Sequence, residues 1–500
     1  MRSTVQRRQR LVVLVAVGVT VAGVLAGCGT RLPSTAFVNA QGGEVLTTQS
    51  AGPESIGPST SAVRSGSAGR TVTSGGSAGT RGSSGGGSGT GSDAAGSTAG
   101  NTASAVGVTA TSLKLGLIVS KTNVLGSGAF SPSLYGAQAY VDAWNARGGQ
   151  HGRRIQLLVC DDQSSASGND QCVNSLIGQG VFAFVGNTIF DYDAASVVSK
   201  AGVPDVGGQP IDNAYNTYQH LYDIYGEAYP RNGQPGEDGK LYGGTEDYVW
   251  FKQNLGVKTA AVVYYNESAS ERFAGNIENG LKAEGFTVVP EEVDFGVTNF
   301  SSAVSQMKRD GVDSIWDALD DSGNAALCAQ MDQDDFTVKA KVQNVQSWRQ
   351  DVAQYSAPCR DSVYVTGKTL AYSDTSNPTI AQFRQDMATY EPDQVPNLAE
   401  WTLEGWAAVQ WLSDALATCP TSPTRPCVDA FVGKGSDTYT GHGILTPRGF
   451  APTTFNPNGT TMLHSCTSVA KWSDSAGTFV QVSNITTACY EVPQLPYPAD

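Results

Sequence analysis

"VDAWNARGGQHGRRIQLLVCDDQSSASGNDQCVNSLIGQGVFAFVG", residues 141–186, decides the fold class. Ala137, Tyr140, Val141 and Trp144 recur at helical spacing, and Gly148-Gly149 end that helix. Residues 153–163 form an apolar strand that runs out into Asp161 and Asp162. Residues 170–179 are helical again, and "VFAFVG" (181–186) is a third apolar strand. Upstream, "LKLGLIV" (113–119) supplies a strand before the first helix. Downstream, a helix over 193–202 and a short strand over 203–208 continue the alternation.

After an irregular segment, 209–243, the pattern restarts. Helices are predicted over 244–256, 272–286, 300–311 and 324–336, with strands over 259–267, 287–295, 312–319 and 339–345. Strands separated by helices of this length imply parallel sheets with right-handed crossovers. Two such runs imply an α/β protein of two doubly wound parallel-sheet lobes.

The stretch at 141–186 resembles the first lobe of the type I periplasmic-binding-fold receptors. The nearest group is the branched-chain amino-acid-type substrate-binding lipoproteins of ABC transporters. The signature residues are Asn145, Ala146, Gly148, Gly149, Gly152, Arg153, Asp161 and Asp162. "NGLKAEGF" (279–286) is similar to the second lobe, and "EGWAAVQWLSDAL" (404–416) to a late helix that returns to the first. The resemblance covers roughly 110–490 and implies a three-segment hinge with crossovers near 228–236, 362–370 and 441–447. It places lobe 1 at 108–230 plus 368–442 and lobe 2 at 231–367 plus 443–495. Gly148-Gly149 have a structural task in such a fold, since they permit a left-handed helix end. Asp161 and Asp162 stand at a strand's carboxyl end, a place from which they can cap the next segment.

Ligands of open parallel sheets bind outside the carboxyl ends of the strands. The corresponding loops are 120–130, 186–193, 207–212, 265–271, 319–324 and 344–348. They carry aromatics, hydroxyls, amides and helix-start N–H groups, suited to a small polar solute. By position, the resemblance implies ligand contacts from Thr188, Phe190, Gly208 and Gln209, an aromatic at Phe130, and lobe 2 contacts from Asp320 and Asn344. The chain departs from the family pattern in two places. "TIFDYD" replaces the usual Ser/Thr cluster and is about two residues shorter, and "NVQSW" contains no Glu. These departures argue against a plain α-amino acid ligand, and the expected solute is a small polar one, an amino acid or an amide-like metabolite. Asp191, Asp193, Asp320 and Asp321 read as helix N-caps or as ligand contacts, and Trp316 and Trp348 as core or as platforms in the cleft.

The N-terminus bears on location. Arg2, Arg7, Arg8 and Arg10 precede an apolar run, Leu11–Ala26, of 16 residues, shorter than the ~20 that span a bilayer. "LAGC" (25–28) resembles the bacterial lipobox, which implies a signal peptide over 1–27 and a diacylglycerol on Cys28 as a membrane anchor. Residues 28–107 are Gly, Ser, Thr and Ala with few charges, a composition that buries too little apolar surface to order itself. As a flexible tether that length reaches about 50 Å. The chain has nine cysteines. With Cys28 lipidated, the remaining eight are Cys160, Cys172, Cys328, Cys359, Cys419, Cys427, Cys466 and Cys489. An even set in an exported chain implies disulfides, expected between sequence neighbours out of about 105 possible pairings.

The net charge of −14 becomes −18 once the four leader arginines are removed. Phosphate contacts need clustered Lys and Arg, so nucleic acid is not an expected partner. The sequence lacks G-x-S-x-G, H-E-x-x-H and P-loop patterns, and its four histidines are scattered. No enzyme activity, metal or cofactor is expected. The expectation is a monomeric, lipid-anchored solute-binding protein on the extracytoplasmic face that works with ABC transporter permease subunits. A sensor of the same fold, or a cell-wall enzyme, are the competing classes.

Overall fold

A computed structural model describes residues 98–498 apart from 124, 227–228, 238, 296–298, 434–438 and 448–461. The proposed leader, Cys28 and most of the proposed tether lie outside the described residues. Among those described, no helix is long and apolar enough to cross a membrane.

The first sheet holds β1 (Ser112–Val119), β2 (Arg154–Asp161), β3 (Ala183–Val185), β4 (Asp205–Gly208) and β5 (Leu221–Asp223). All pair in parallel, in the order β2-β1-β3-β4-β5. Its connecting helices are α1 (Pro132–Ala146), α2 (Ala166–Gly178), α3 (Ala195–Lys200) and α4 (Ala214–Thr217). β3 and most of β1 are buried on both faces, which is why they read as unbroken apolar runs.

The chain then crosses to β6 (Lys240–Gly243), α5 (Glu246–Leu255), β7 (Thr259–Tyr265), α6 (Ser268–Ala283), β8 (Thr287–Val293), α7 (Ser301–Arg309), β9 (Ser314–Ala318), α8 (Asp321–Gln333), β10 (Ala340–Gln343), α9 (Ala357–Arg360) and β11 (Val363–Gly367). It returns to the first lobe through α10 (Pro378–Tyr390), α11 (Glu400–Ala417) and α12 (Arg425–Val432). It ends with β12 (Met462–Cys466), β13 (Ser468–Ser473), β14 (Thr478–Gln481), β15 (Cys489–Pro493) and β16 (Leu495–Pro498). The second sheet runs β14-β13-β11-β10-β9-β7-β8. β13 and β14 are antiparallel additions at one edge, while β12 pairs with β15 and β6 with β16.

The irregular segment expected over 209–243 hides α4, β5 and β6. Each spans three or four residues, too few to show a period. Two hinge passages lie side by side: Leu370 N–H donates to Ile444 O at 2.7 Å, and Thr446 N–H donates to Lys368 O at 2.7 Å.

α1 and α11 cross almost backbone to backbone. A Cβ at Gly136 would fall 1.8 Å from Thr402 O, and one at Gly405 would fall 2.0 Å from Ser133 O. Disulfides join Cys160–Cys172, Cys328–Cys359, Cys419–Cys427 and Cys466–Cys489.

The ordered body starts before residue 107, where composition alone ended the tether. Thr102 N–H donates to Thr421 O at 3.0 Å, and Ser104 Oγ to Pro423 O at 2.5 Å. Arg153 fastens this corner. Its guanidinium donates to Thr109 O, Pro420 O, Thr102 O and Thr421 O at 2.9, 2.6, 3.1 and 2.7 Å. These residues flank the amino ends of β1 and β2, so the chain joins the body at the edge opposite the strands' carboxyl ends.

Candidate functional site

The carboxyl-end loops of the two sheets meet along one seam. Arg349, after β10, donates from Nη1 to Gly128 O of the β1–α1 loop at 3.0 Å. The same nitrogen lies 2.9 Å from Asp321, and Nη2 lies 3.4 Å from Asp351. A guanidinium suits this place because its fixed fork serves several acceptors at once. Arg272, on α6, donates from Nη2 to Ile211 O after β4 at 3.3 Å. Glu400 N–H, at the start of α11, donates to Trp348 O at 2.9 Å, and Arg349 bridges Ala399.

Two of the expected ligand residues share one aromatic run. Phe190 is 41% exposed and stands edge-on to Phe130 with ring centres 6.0 Å apart. Phe130 is buried and lies 6.1 Å from the Trp401 ring. Gln209 is buried beside them: its Nε2 donates to Glu404 Oε2 at 2.7 Å, and its Oε1 accepts from Tyr225 Oη at 3.1 Å. Gly208 leaves room for Tyr215, whose Oη would be 1.6 Å from a Cβ there.

The other expected residues serve the backbone. Thr188 is fully buried and extends the sheet: its N–H donates to Ile118 O at 3.0 Å and its carbonyl accepts from Ser120 N at 2.9 Å. Asp320 caps α8, accepting from Gly323 N at 3.0 Å, and also accepts Tyr265 Oη at 2.7 Å. Asn344 accepts from Gln346 N at 2.9 Å and donates to Leu319 O at 3.0 Å. The capping expectations need correction. The N-cap of α3 is Ala194, with no side-chain cap, leaving Asp193 outside that role, and Asp321 pairs with Arg349 instead. Asp212 holds the loop, accepting from Tyr192 N at 2.6 Å and Ala214 N at 2.8 Å. Trp316 and Trp348 are core, as expected.

Asp205 anchors the 187–192 loop from beneath. Its Oδ2 accepts Asn187 Nδ2 at 2.9 Å, Tyr192 Oη at 2.9 Å and Tyr215 Oη at 3.0 Å. Burial nevertheless pushes its pKa up to about 6, against the pull of those donors, and burial does the same to Asp212. A carboxyl whose folded pKa exceeds its unfolded value stabilises the fold fully below the unfolded pKa. That contribution is lost as pH rises through the folded value. As pH rises past both values, from about pH 3 to about pH 7, Asp205 alone should therefore withdraw about 3 kcal/mol of stability. Asp247, half-buried and pushed up to about 6 by desolvation and the neighbouring Glu246 charge, acts with the same sign. Urea midpoints should fall as pH rises through this window, and Asp205→Asn should flatten the slope. A midpoint that climbs with pH would contradict the burial account.

Sequence reading missed Arg272, Arg349, Trp401, Tyr225 and the acids of α11. Glu400 and Glu404 did leave a signal, being two carboxylates one turn apart in an otherwise apolar helix. Both are fully buried. Tyr225 Oη donates to Glu404 Oε2 at 3.1 Å, and Tyr372 N donates to Glu400 Oε2 at 3.3 Å.

The model of a periplasmic binding protein family matches residues 112–478. The Leu/Ile/Val-binding protein homolog 1 of Brucella melitensis is 23% identical over 309 residues, 60% of this chain and 77% of that one. Homolog 3 of the same organism is 23% identical over 193 residues, and the alignment spans 36% of this chain and 47% of that relative. A fatty acid ABC transporter substrate-binding protein from Thermomonospora curvata superposes with a TM-score of 0.58 at 15% identity, covering 77% of this chain and 94% of its own. That last likeness shows the fold.

Proposed function

Because the chain belongs to the periplasmic binding protein family, we propose that it is an extracytoplasmic solute receptor of an ABC importer. It captures a small polar solute, an amino acid or amide-like metabolite, between its lobes and presents it to permease subunits. It acts as a monomer, held to the membrane by lipid on Cys28. The observation that carries this reading is the seam, where Arg349 and Arg272 of one lobe reach carbonyls of the other across the carboxyl ends of both sheets. A solute there favours the closed form by touching both lobes at once, and only its differential affinity shifts the equilibrium. Polar groups that fail to match the buried donors and acceptors are left unsatisfied, which supplies specificity.

Thermal stabilisation against a panel of metabolites, followed by small-angle scattering with each hit, tests the receptor reading. Ligand-dependent stabilisation with compaction and no turnover is expected. Turnover, or saturation with no compaction, would overturn it. The anchor has its own test: Cys28→Ser should leave the protein unlipidated, and either released or unprocessed. A processed variant that stayed with the membrane would contradict lipidation at Cys28.

A further inference from the structure

β12 and β15 form a two-stranded antiparallel ribbon, paired from Met462 opposite Pro493 to Cys466 opposite Cys489. Side chains two apart on a strand share a face, so His464, Cys466, Cys489 and Glu491 all stand on one face of it. His464 Nδ1 is 2.9 Å from Glu491 Oε1, and the next pair along is the Cys466–Cys489 disulfide. A ring nitrogen of His464 and the two sulfurs all lie within 4.8 Å of one another. Among the described residues, no other disulfide has a histidine nitrogen this close to both sulfurs. The His464 and Glu491 side chains are 65% and 66% exposed, Cys489 is half-buried and Cys466 is buried. The other disulfides join separate elements: β2 to α2, α8 to α9, and the end of α11 to α12. Cys466 and Cys489 are instead held opposite each other by the ladder of the ribbon itself. Opening their bond therefore leaves two thiols face to face. Lys368 Nζ donates to Cys466 O at 2.7 Å and pins this end of the ribbon to the hinge passage at 368–370.

We propose that this face is a redox-gated zinc site: once the Cys466–Cys489 bond is opened, both thiolates and His464 hold the ion, and Glu491 steadies the imidazole. A dithiol of the disulfide-exchange class opens the bond. One of its thiolates attacks a ribbon sulfur, and its second thiol resolves the mixed disulfide. The dithiol leaves as a disulfide, and two electrons and two protons pass to Cys466 and Cys489. Zinc then displaces both thiol protons to solvent. Thiolate and imidazole are the donors zinc takes, and a carboxylate behind the imidazole fixes the ring. A tetrahedral ion with bonds of about 2.0–2.3 Å spaces its ligand atoms about 3.5–3.8 Å apart. The imidazole must close by about 1 Å from the 4.8 Å span while the sulfurs part, and side-chain rotation supplies both with the strands still paired. Water takes the fourth position. With the disulfide intact neither sulfur is a thiolate, so the same face does not hold the ion. This site is independent of the solute and of the receptor reading.

Full-length protein in detergent, treated with dithiothreitol and desalted without air, is titrated with cobalt(II), the optical stand-in for zinc. Alkylation and peptide mass spectrometry record which cysteines are open. Sulfur-to-cobalt charge-transfer bands should appear in the reduced protein, be absent from the oxidised protein, and be bleached by zinc. His464→Ala should weaken cobalt binding about a hundredfold or more, since losing even an outer-shell partner costs about 10–100-fold. The His464 side chain is largely exposed, so this variant stays readable even if Cys466→Ser/Cys489→Ser, which should also lose the bands, folds poorly. His442→Ala, an exposed histidine held by Asp414, should leave the bands unchanged. Missing bands with Cys466 and Cys489 both alkylated would overturn the site. Bands of full strength in His464→Ala would do so too, as would a Cys466–Cys489 bond that resists the dithiol.

Discussion

Lys341→Met should cost about 3–5 kcal/mol of stability, the largest single loss expected anywhere in the second lobe. Lys341 Nζ lies 3.0 Å from Asp317 Oδ2, and both side chains are fully buried. Asn324 completes the group, accepting from Lys341 and donating to Asp317 Oδ1 at 3.1 Å. Burial pushes the Asp317 carboxyl up, opposed by the Lys341 charge, and pushes the Lys341 ammonium down. Both directions mean that water would hold each ion better than the core does. The pair is therefore worth little as a pair, yet removing one partner strands the other charge. The double variant Lys341→Met/Asp317→Leu should recover most of the loss, because well-packed apolar residues often replace a buried ion pair without penalty. Urea midpoints of the two variants decide it. A neutral single variant would mean that Asp317 is already protonated and no ion pair exists.

Gly405→Ala should destabilise the first lobe by about 3 kcal/mol, at the upper end of what overpacking does. Helix propensity alone predicts the opposite sign, a gain of about 1 kcal/mol. The contact wins because the new methyl group would meet Ser133 O at 2.0 Å, and that oxygen belongs to a helix backbone that cannot swing away. Gly275 on α6 is the control: a Cβ there meets nothing within 4 Å. Gly275→Ala should therefore be stabilising by up to about 1 kcal/mol. Thermal midpoints that moved the same way in both variants would refute the close crossing of α1 and α11.

How much the sequence disclosed depends on physical length. β1 and β7 are long enough, and buried enough on both faces, to stand out as apolar runs between helices. β5 is Leu221-Tyr222-Asp223, and no period can be read from three residues. β13 and β14 reach the second sheet only after the chain has returned from the first lobe, so local pattern says nothing of their partners. The site was legible in the same uneven way. Strand ends led to Phe190 and Gln209 on the carboxyl-end loops of the candidate site, since loop position is set by topology. Thr188 was assigned to ligand by position, although its backbone continues the sheet and its side chain is buried. Arg349 was invisible because Gly128 becomes its partner only when the two lobes meet, and Asp321 only when α8 packs beside the loop after β10.

The corner tied by Arg153 determines where force enters the molecule. With the tether fixed to a membrane and a partner grasping the opposite edge, tension would run from Thr102 through the Arg153 guanidinium into β1, β2 and the loop at 420–421. That path stays within the first lobe and ends before the hinge passages at 368–370 and 444–446. On the receptor and anchor readings proposed above, a pull on the leash would load the first lobe without prying the lobes apart, so cargo retention would be mechanically independent of how far the protein strays from its anchor.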